Sequence, residues 1–459
     1  MHPSFMHHPS SYRDPAGFVF YKGGNLYRQV NQVFKKDFDC FTQGGLYQHL
    51  VEKKILIPHQ TIHENLTGSA DWYTTLQPET IPFVTYPYEW CFDMLKDAAL
   101  LTLEAAKEAM AYQMMLRDAS AYNIQLYNGK PIFIDTLSFE RYDERKPWIA
   151  YRQFCEHFFA PLALMHYLKQ PLQNLLLAYP DGIPLTVAAS MLPFQSKLSL
   201  HGYLHLHLQN SISKKSKAVT GQSKVFSKQK MKNLLQSLAD GIKSFSFQKN
   251  QTAWSNYYEE ANQRADYITS KKSIINKWLD QLSLKMVLDA GANEGEFSEL
   301  ATKKAAYVIS TDADHTSVNK LYNKIKQETT SNIYPMVIDL ANPSPAIGVN
   351  NEERTSFLKR TKVDLILALA LIHHLVLARN IPFSKIAEMF YLLTRYLIIE
   401  FVPADDKKVE IMTSHKKNLL NNYSEENFTS AFQNYFALLD KQTIASTGRT
   451  LFLMEKHNA

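Results

Sequence analysis

Between residues 254 and 459, short apolar runs alternate with stretches whose apolar positions recur at helical spacing. The runs MVLDA (286–290), AYVISTD (306–312), NIYPMVID (332–339), VDLILALA (363–370) and YLIIEFV (396–402) are predicted strands. WSNYYEEANQRADYITSKKSIINKWLDQL (254–282) and FSKIAEMFYLLTRY (383–396) are predicted helices. This alternation predicts an α/β fold, a parallel sheet with helices on both faces. Such sheets bind ligands at the carboxyl ends of their strands, near the point where strand order reverses. The last two runs, YFALLDKQ (435–442) and RTLFLMEK (449–456), are joined by only TIASTG. Six residues are too few for a helical crossover, so this pair is predicted to be antiparallel.

The first half reads differently. GFVFYKGGNLYRQV (17–30) predicts a hairpin, and DMLKDAALLTLEAAKEAMAYQ (93–113) a long helix. IQLY and PIFID flank an Asn-Gly-Lys turn, a second hairpin signal. From 182 to 239 there is no Asp or Glu, while Lys214, Lys215, Lys217, Lys224, Lys228, Lys230 and Lys232 cluster among serines. That composition predicts a basic linker over 208–250, between an α+β domain at 1–207 and the α/β domain at 251–459.

Composition narrows the classes without choosing one. The 459 residues are 45% hydrophobic with a formal net charge of +6, ordinary for a folded chain and too weak a charge to argue for nucleic acid alone. Cys40, Cys91 and Cys155 are far apart, which argues against a disulfide framework or a zinc site and fits a reducing compartment. The most apolar run, DLILALALIHHLVLA (364–378), is shorter than a membrane span and holds an aspartate and two histidines. Without a signal pattern at the N-terminus, the expected location is the cytoplasm. His201, His205 and His207 lie close together, but no nearby carboxylate or cysteine completes a metal set, and no metal is expected.

The chemistry concentrates after the first strand of the second half, in VLDAGANEG (287–295). Gly291 and Gly295 allow close backbone approach to a ligand, and Asn293 tolerates left-handed backbone angles better than most residues. A dinucleotide-binding loop would read GxGxxG. This loop, with the terminal antiparallel hairpin, instead resembles the class I S-adenosylmethionine (SAM)-dependent methyltransferase family, with asparagine for the middle glycine. The resemblance implies a Rossmann-like methyltransferase domain with SAM as cofactor. It implies Asp289 toward the amino-acid end of SAM, Asp312 on the ribose hydroxyls and Asp339 on the adenine amino group, with Ala368 also lining the site. Asp314 falls where that family places a helix-capping residue. NPSP (342–345) follows the third strand rather than the fourth and is not read as catalytic. ALIHHL resembles a segment of methyltransferases that act on small molecules, lipids and sugars. His373 or His374 would serve as general base, or pack against cofactor and cap the strand; Glu400 is a further candidate base.

LRDASAYNIQLYNGKPIFIDTLSFE (116–140) resembles the catalytic loop and metal-binding strand of protein-kinase-like and aminoglycoside-kinase-like folds. That likeness implies Mg-ATP held by Asp118, Asn123 and Asp135, with Arg28 or Lys22 as the phosphate-side cation and Glu52 as its partner. Thr-Leu follows Asp135 where protein kinases carry Phe-Gly, and the glycine-rich loop has no clean counterpart. The whole chain also resembles bacterial nodulation-related methyltransferase-like proteins, through the RDASAYN…FIDTLSFE and DAGAN…ALALIHHL blocks. The expected reaction is methyl transfer to an acceptor such as a hydroxyl of a saccharide, a lipid-linked glycan or a small metabolite. An RNA acceptor, held through the lysine run, and an ATP-dependent phosphotransferase fused to the methyltransferase domain stay open as alternatives.

Overall fold

The computed structural model describes residues 5–209, 226–247, 265–328, 331–413 and 422–457. The chain divides into two compact units, Met1–Lys249 with Ile347–Arg354, and Asn250–Ala346 with Thr355–Ala459.

The first unit begins with five strands: β1 (Met6–His7), β2 (Gly17–Lys22), β3 (Asn25–Asn31), β4 (His59–Ile62) and β5 (Trp72–Pro78). They pair antiparallel in the order β1-β2-β3-β5-β4. Val30, Leu76, Phe34 and Phe38 form a core with Leu137. The long helix is Phe92–Ala111. It buries Phe92, Leu95, Ala99, Leu103, Ala106 and Met110, one face at three- and four-residue spacing. β6 (Met114–Leu116) pairs with β9 (Phe139–Arg141), and β7 (Ile124–Tyr127) with β8 (Lys130–Phe133). The β7–β8 turn places Asn128 and Gly129 at φ +50° and +78°, the two positive angles a tight two-residue hairpin requires.

The expected linker is partly folded. Lys228–Ser244 is a helix of this unit that buries Met231, Leu235, Leu238 and Ile242. Four apolar residues at helical spacing outweigh the basic composition of its first turn. Lys214, Lys215, Lys217 and Lys224 lie outside the described residues.

The second unit is built on seven strands: β10 (Leu284–Ala290), β11 (Ala305–Asp312), β12 (Ile333–Val337), β13 (Val363–Ala368), β14 (Thr394–Phe401), β15 (Phe436–Thr443) and β16 (Thr450–Lys456). Their order is β12-β11-β10-β13-β14-β16-β15. The first five are parallel, and β16 runs antiparallel between β14 and β15. Val287, Leu288, Leu365, Ile366, Leu397 and Ile398 are fully buried, as expected of strands covered on both faces. This is the class I methyltransferase arrangement, a Rossmann-like sheet closed by an antiparallel hairpin. Of the helix expected from Trp254, the described part is Ala265–Leu279. Strand order reverses between β10 and β13, and the glycine loop leaves β10 at that point. No described helix is long and apolar enough to cross a membrane.

Candidate functional site

The loop after β10 is held by its neighbour strand. The Thr311 carbonyl accepts the Gly291 and Ala292 N–H groups at 2.8 and 2.9 Å. Gly291, Asn293 and Gly295 all have positive φ, +78°, +50° and +87°. A Cβ on Gly295 would meet the Leu321 side chain at 2.5 Å, and one on Gly291 would press on Leu371 at 3.3 Å. Asn293 thus performs the backbone task of the missing glycine, and its side chain adds something glycine lacks. Its Oδ1 is buried with no hydrogen-bond partner among the described residues. Buried polar atoms are usually paired, and this oxygen is an acceptor open to a further donor.

Asp312 ends β11. Its Oδ2 accepts the Asn293 N–H at 2.8 Å and its Oδ1 the Asp314 N–H at 2.7 Å. One carboxylate therefore joins the glycine loop to the next helix. Each oxygen keeps a lone pair for a further donor, the arrangement that two vicinal hydroxyls would complete. Burial raises the carboxyl's pKa, while the amides of Asp314 and Asn293 pull it back. Asp314 caps the helix His315–Ile325 by accepting the Thr316 N–H at 2.9 Å.

Asp289 is buried at the end of β10. Its Oδ2 accepts the Ser298 hydroxyl at 2.6 Å, and Ser310 donates to Ser298 at 2.7 Å. Burial pushes its pKa up to about 6, against the pull of Ser298 and Lys271. A carboxyl raised above its unfolded value costs stability at any pH above its folded pKa. That cost is relieved as pH falls from about 6 toward the ordinary 3.8. Asp289→Asn should therefore raise the melting temperature near pH 7.5, by up to about 3 kcal/mol of stability, and the gain should vanish below about pH 4. The same variant should weaken cofactor binding. Thermal melts across pH, paired with calorimetry, check both; a destabilised variant at neutral pH would show that the charged form is the one the fold favours.

Asp339 lies two residues beyond β12. It accepts the Ala341 N–H at 2.9 Å and pairs with Arg379 at 2.8 Å. That largely solvent-exposed pair holds the carboxylate only weakly. Ala368 ends β13 and is buried, in register with Ile399. Two residues later Ala370 takes φ +51°, unusual for alanine, and Leu371 packs against Gly291.

His373 follows that strained turn and precedes the π-helical turn His374–Ala378, a local form that recurs at functional sites. It is 1% exposed, and neither ring nitrogen has a hydrogen-bond partner among the described residues. Its ring centroid is 4.0 Å from that of His374. Burial, then His374 and the cations Arg449, Lys408 and Lys271, hold its pKa well below the usual histidine range. Burial, then Lys408 and Arg449, lowers His374 to about 4. Both rings are therefore neutral near pH 7, able to accept a hydrogen bond but weak as bases.

Glu400 is corrected from candidate base to structural anion. It is fully buried, with Lys271 Nζ at 2.6 Å from Oε2, and with Tyr267 OH at 3.0 Å and Arg449 Nη1 at 3.2 Å from Oε1. Arg449 also reaches Asp406 at 2.9 Å. Burial raises the Glu400 pKa, but Lys271 and Arg449 outweigh it and leave the group below the ordinary range. A carboxylate so paired does not take up a proton near neutral pH. Sequence reasoning missed Tyr267, Lys271 and Arg449. The one local signal was Tyr267 and Lys271 at i, i+4 on a predicted helix.

In the first unit, Asp118, Asn123 and Asp135 do converge. Asn123 donates to the Ser138 hydroxyl at 3.3 Å, and Ser138 donates to Asp135 Oδ2 at 2.5 Å. Asp118 accepts from Gln153 and the Ser120 N–H at 2.8 and 3.0 Å. Burial first, then the charge of Asp135, raises its pKa. Arg28 pairs with Asp135 at 2.7 Å rather than with Glu52, which bonds Gln48 in its own helix. Lys22 is turned to the Leu66 carbonyl. Of the histidines near 205, His205 bonds Tyr151 at 2.8 Å and Ser237 at 3.0 Å, and His207 bonds Ser196 at 2.8 Å.

No family model matches the chain. It is 29% identical over 458 residues to "Nodulation protein NoeA" of Rhizobium meliloti (strain 1021), covering 97% of this chain and 95% of that one. Among solved structures it is similar to N-methyltransferase NodS from Bradyrhizobium japonicum WM9, at TM-score 0.30 and 12% identity, over 41% of this chain and 97% of that one. A second likeness is to magnesium protoporphyrin IX methyltransferase (ChlM) from Synechocystis PCC 6803 with bound SAM, at TM-score 0.31 and 17% identity, over 46% and 88%. At these scores the structural likenesses add nothing to the strand order and loop geometry already described.

Proposed function

We propose that the chain is a SAM-dependent methyltransferase whose acceptor is a hydroxyl of a saccharide, a lipid-linked glycan or a small metabolite. The observation that carries the cofactor is the end of β11, where Asp312 spans two backbone amides with both oxygens still able to accept. SAM supplies an electrophilic methyl group when bound. Asp312 would hold the ribose, Asp289 the amino-acid end and Asp339 the adenine amino group, with Gly291, Asn293, Gly295 and Ala368 lining the approach. The orphaned Asn293 Oδ1 fits such a ligand, which brings several N–H and O–H donors and no phosphate.

His373 supports the hydroxyl acceptor. Neither ring nitrogen is bonded among the described residues, so the neutral imidazole would accept an O–H and orient the oxygen. Its burial would keep water from the oxygen once an acceptor is seated. Alignment and exclusion of this kind account for much of the acceleration available to such a reaction, about 7–11 kcal/mol from positioning.

The test uses methyl-labelled SAM with purified protein and separated glycan, glycolipid, small-molecule and RNA fractions of a bacterial extract. Label is expected in a glycan, glycolipid or small-molecule fraction. It should fall by about 100-fold or more in His373→Leu while SAM affinity stays within about twofold of the parent. Label confined to RNA would overturn the acceptor class, and full turnover in the variant would remove His373 from the reaction.

A further inference from the structure

We propose that residues 191–203 form a docking surface for an anionic phospholipid bilayer. The inference stands apart from the methyl-transfer reading and can fail without it. This stretch of the first unit folds as short helical turns, including Gln195–Leu198 and Leu200–Gly202. Solvent-facing turns normally bury apolar groups and show polar ones. Here the pattern is inverted. Phe194, Leu198 and Leu200 are 70%, 74% and 67% exposed, and Met191 and Tyr203 are exposed beside them in sequence. Ser196 is fully buried instead, its hydroxyl donating to the Pro193 carbonyl at 2.7 Å and meeting His207 Nε2 at 2.8 Å.

The outward side chains are held, not frayed. Gly202 packs so close that an added Cβ would lie 2.4 Å from the Ser196 carbonyl oxygen, and Ser199 caps the Gly202 N–H. A single exposed leucine needs no explanation. Five large apolar side chains in thirteen residues, displayed by a packed inner face, mark a surface that meets something apolar.

The charge around it selects the occupant. Residues 182–239 contain no Asp or Glu. Lys197 lies on the same turn, with Nζ 5.8 Å from the Phe194 ring centroid. The helix Lys228–Ser244 packs against the turn, with Ser237 bonded to His201 and His205. It carries Lys228, Lys230 and Lys232 at its start, the last two exposed. Apolar side chains flanked by lysines match a negatively charged membrane face, where the rings and leucines enter the interface and the lysines meet phosphates. A second copy of the chain would bring the same lysines face to face.

The experiment is vesicle sedimentation of the full-length protein, with phosphatidylcholine alone and with about 30% phosphatidylglycerol, at low and high salt. Binding is expected only to the phosphatidylglycerol vesicles, and about tenfold weaker in high salt. Phe194→Ser/Leu198→Ser/Leu200→Ser should abolish it with an unchanged melting temperature, since these side chains pack little of the core. Lys197→Glu/Lys230→Glu/Lys232→Glu, which leaves the apolar face intact, should weaken it at least about tenfold. Failure of the parent to bind phosphatidylglycerol vesicles overturns the proposal. So does equal binding by either variant, or a parent dimer that the serine variant converts to monomer.

Discussion

Asp312→Ala should bind SAM at least about 100-fold more weakly than the parent. A hydrogen bond to a charged group contributes about 1.5–3 kcal/mol, and two ribose hydroxyls on one carboxylate put about 3–6 kcal/mol at stake. A second effect acts in the same direction. The carboxylate also orders the loop, through the Asn293 and Asp314 N–H groups at 2.8 and 2.7 Å. Two companions separate the contributions. Asp312→Asn keeps one acceptor oxygen and should fall between parent and alanine. Asn293→Gly keeps the positive φ but removes the orphaned Oδ1, and should lose no more than about tenfold. Calorimetry reads all three, with circular dichroism confirming the fold. Parent-like affinity in a folded Asp312→Ala would sink the cofactor assignment.

Glu400→Gln should destabilise the second unit by about 3–5 kcal/mol, the typical consequence of removing one member of a buried ion pair. It leaves Lys271 and Arg449 buried without the anion that balances them, although Asp406 still reaches Arg449 at 2.9 Å. The pH dependence gives an independent check. Glu400 is held below its ordinary value of 4.5 by Lys271 and Arg449. Its stabilisation is therefore complete above that value and is lost as pH falls through the lower, folded one. The parent's melting temperature should drop steeply below about pH 4.5, and Glu400→Gln should start lower and fall less. Parallel curves would show that the cluster does not govern acid stability. Replacing Lys271 with Met as well should recover part of the loss, since a buried cation then goes with the anion.

These two residues also mark how far local pattern reaches. That Asp312 ends a strand beside the glycine loop was legible because strand, acidic end and spacing after Asp289 all lie within one short segment. Glu400 was read as a base because its own segment shows only a carboxylate at a strand end. Its partners lie elsewhere, Tyr267 being 133 positions away and Arg449 49. The same limit explains Arg28: its neighbours do not reveal that it meets Asp135 rather than Glu52.

By itself the sequence determined the five parallel strands, the closing hairpin, the glycine loop and the two N-terminal hairpins. Each is set by short-range periodicity, by connection length or by a residue tolerant of positive φ, and those act within a few neighbours. Only the tertiary structure decided that His373 is buried with neither ring nitrogen bonded among the described residues, that Glu400 is neutralised, that Lys228–Ser244 joins a core and that Phe194, Leu198 and Leu200 face outward. Burial and charge pairing depend on which distant segments pack together, and no local spacing records that.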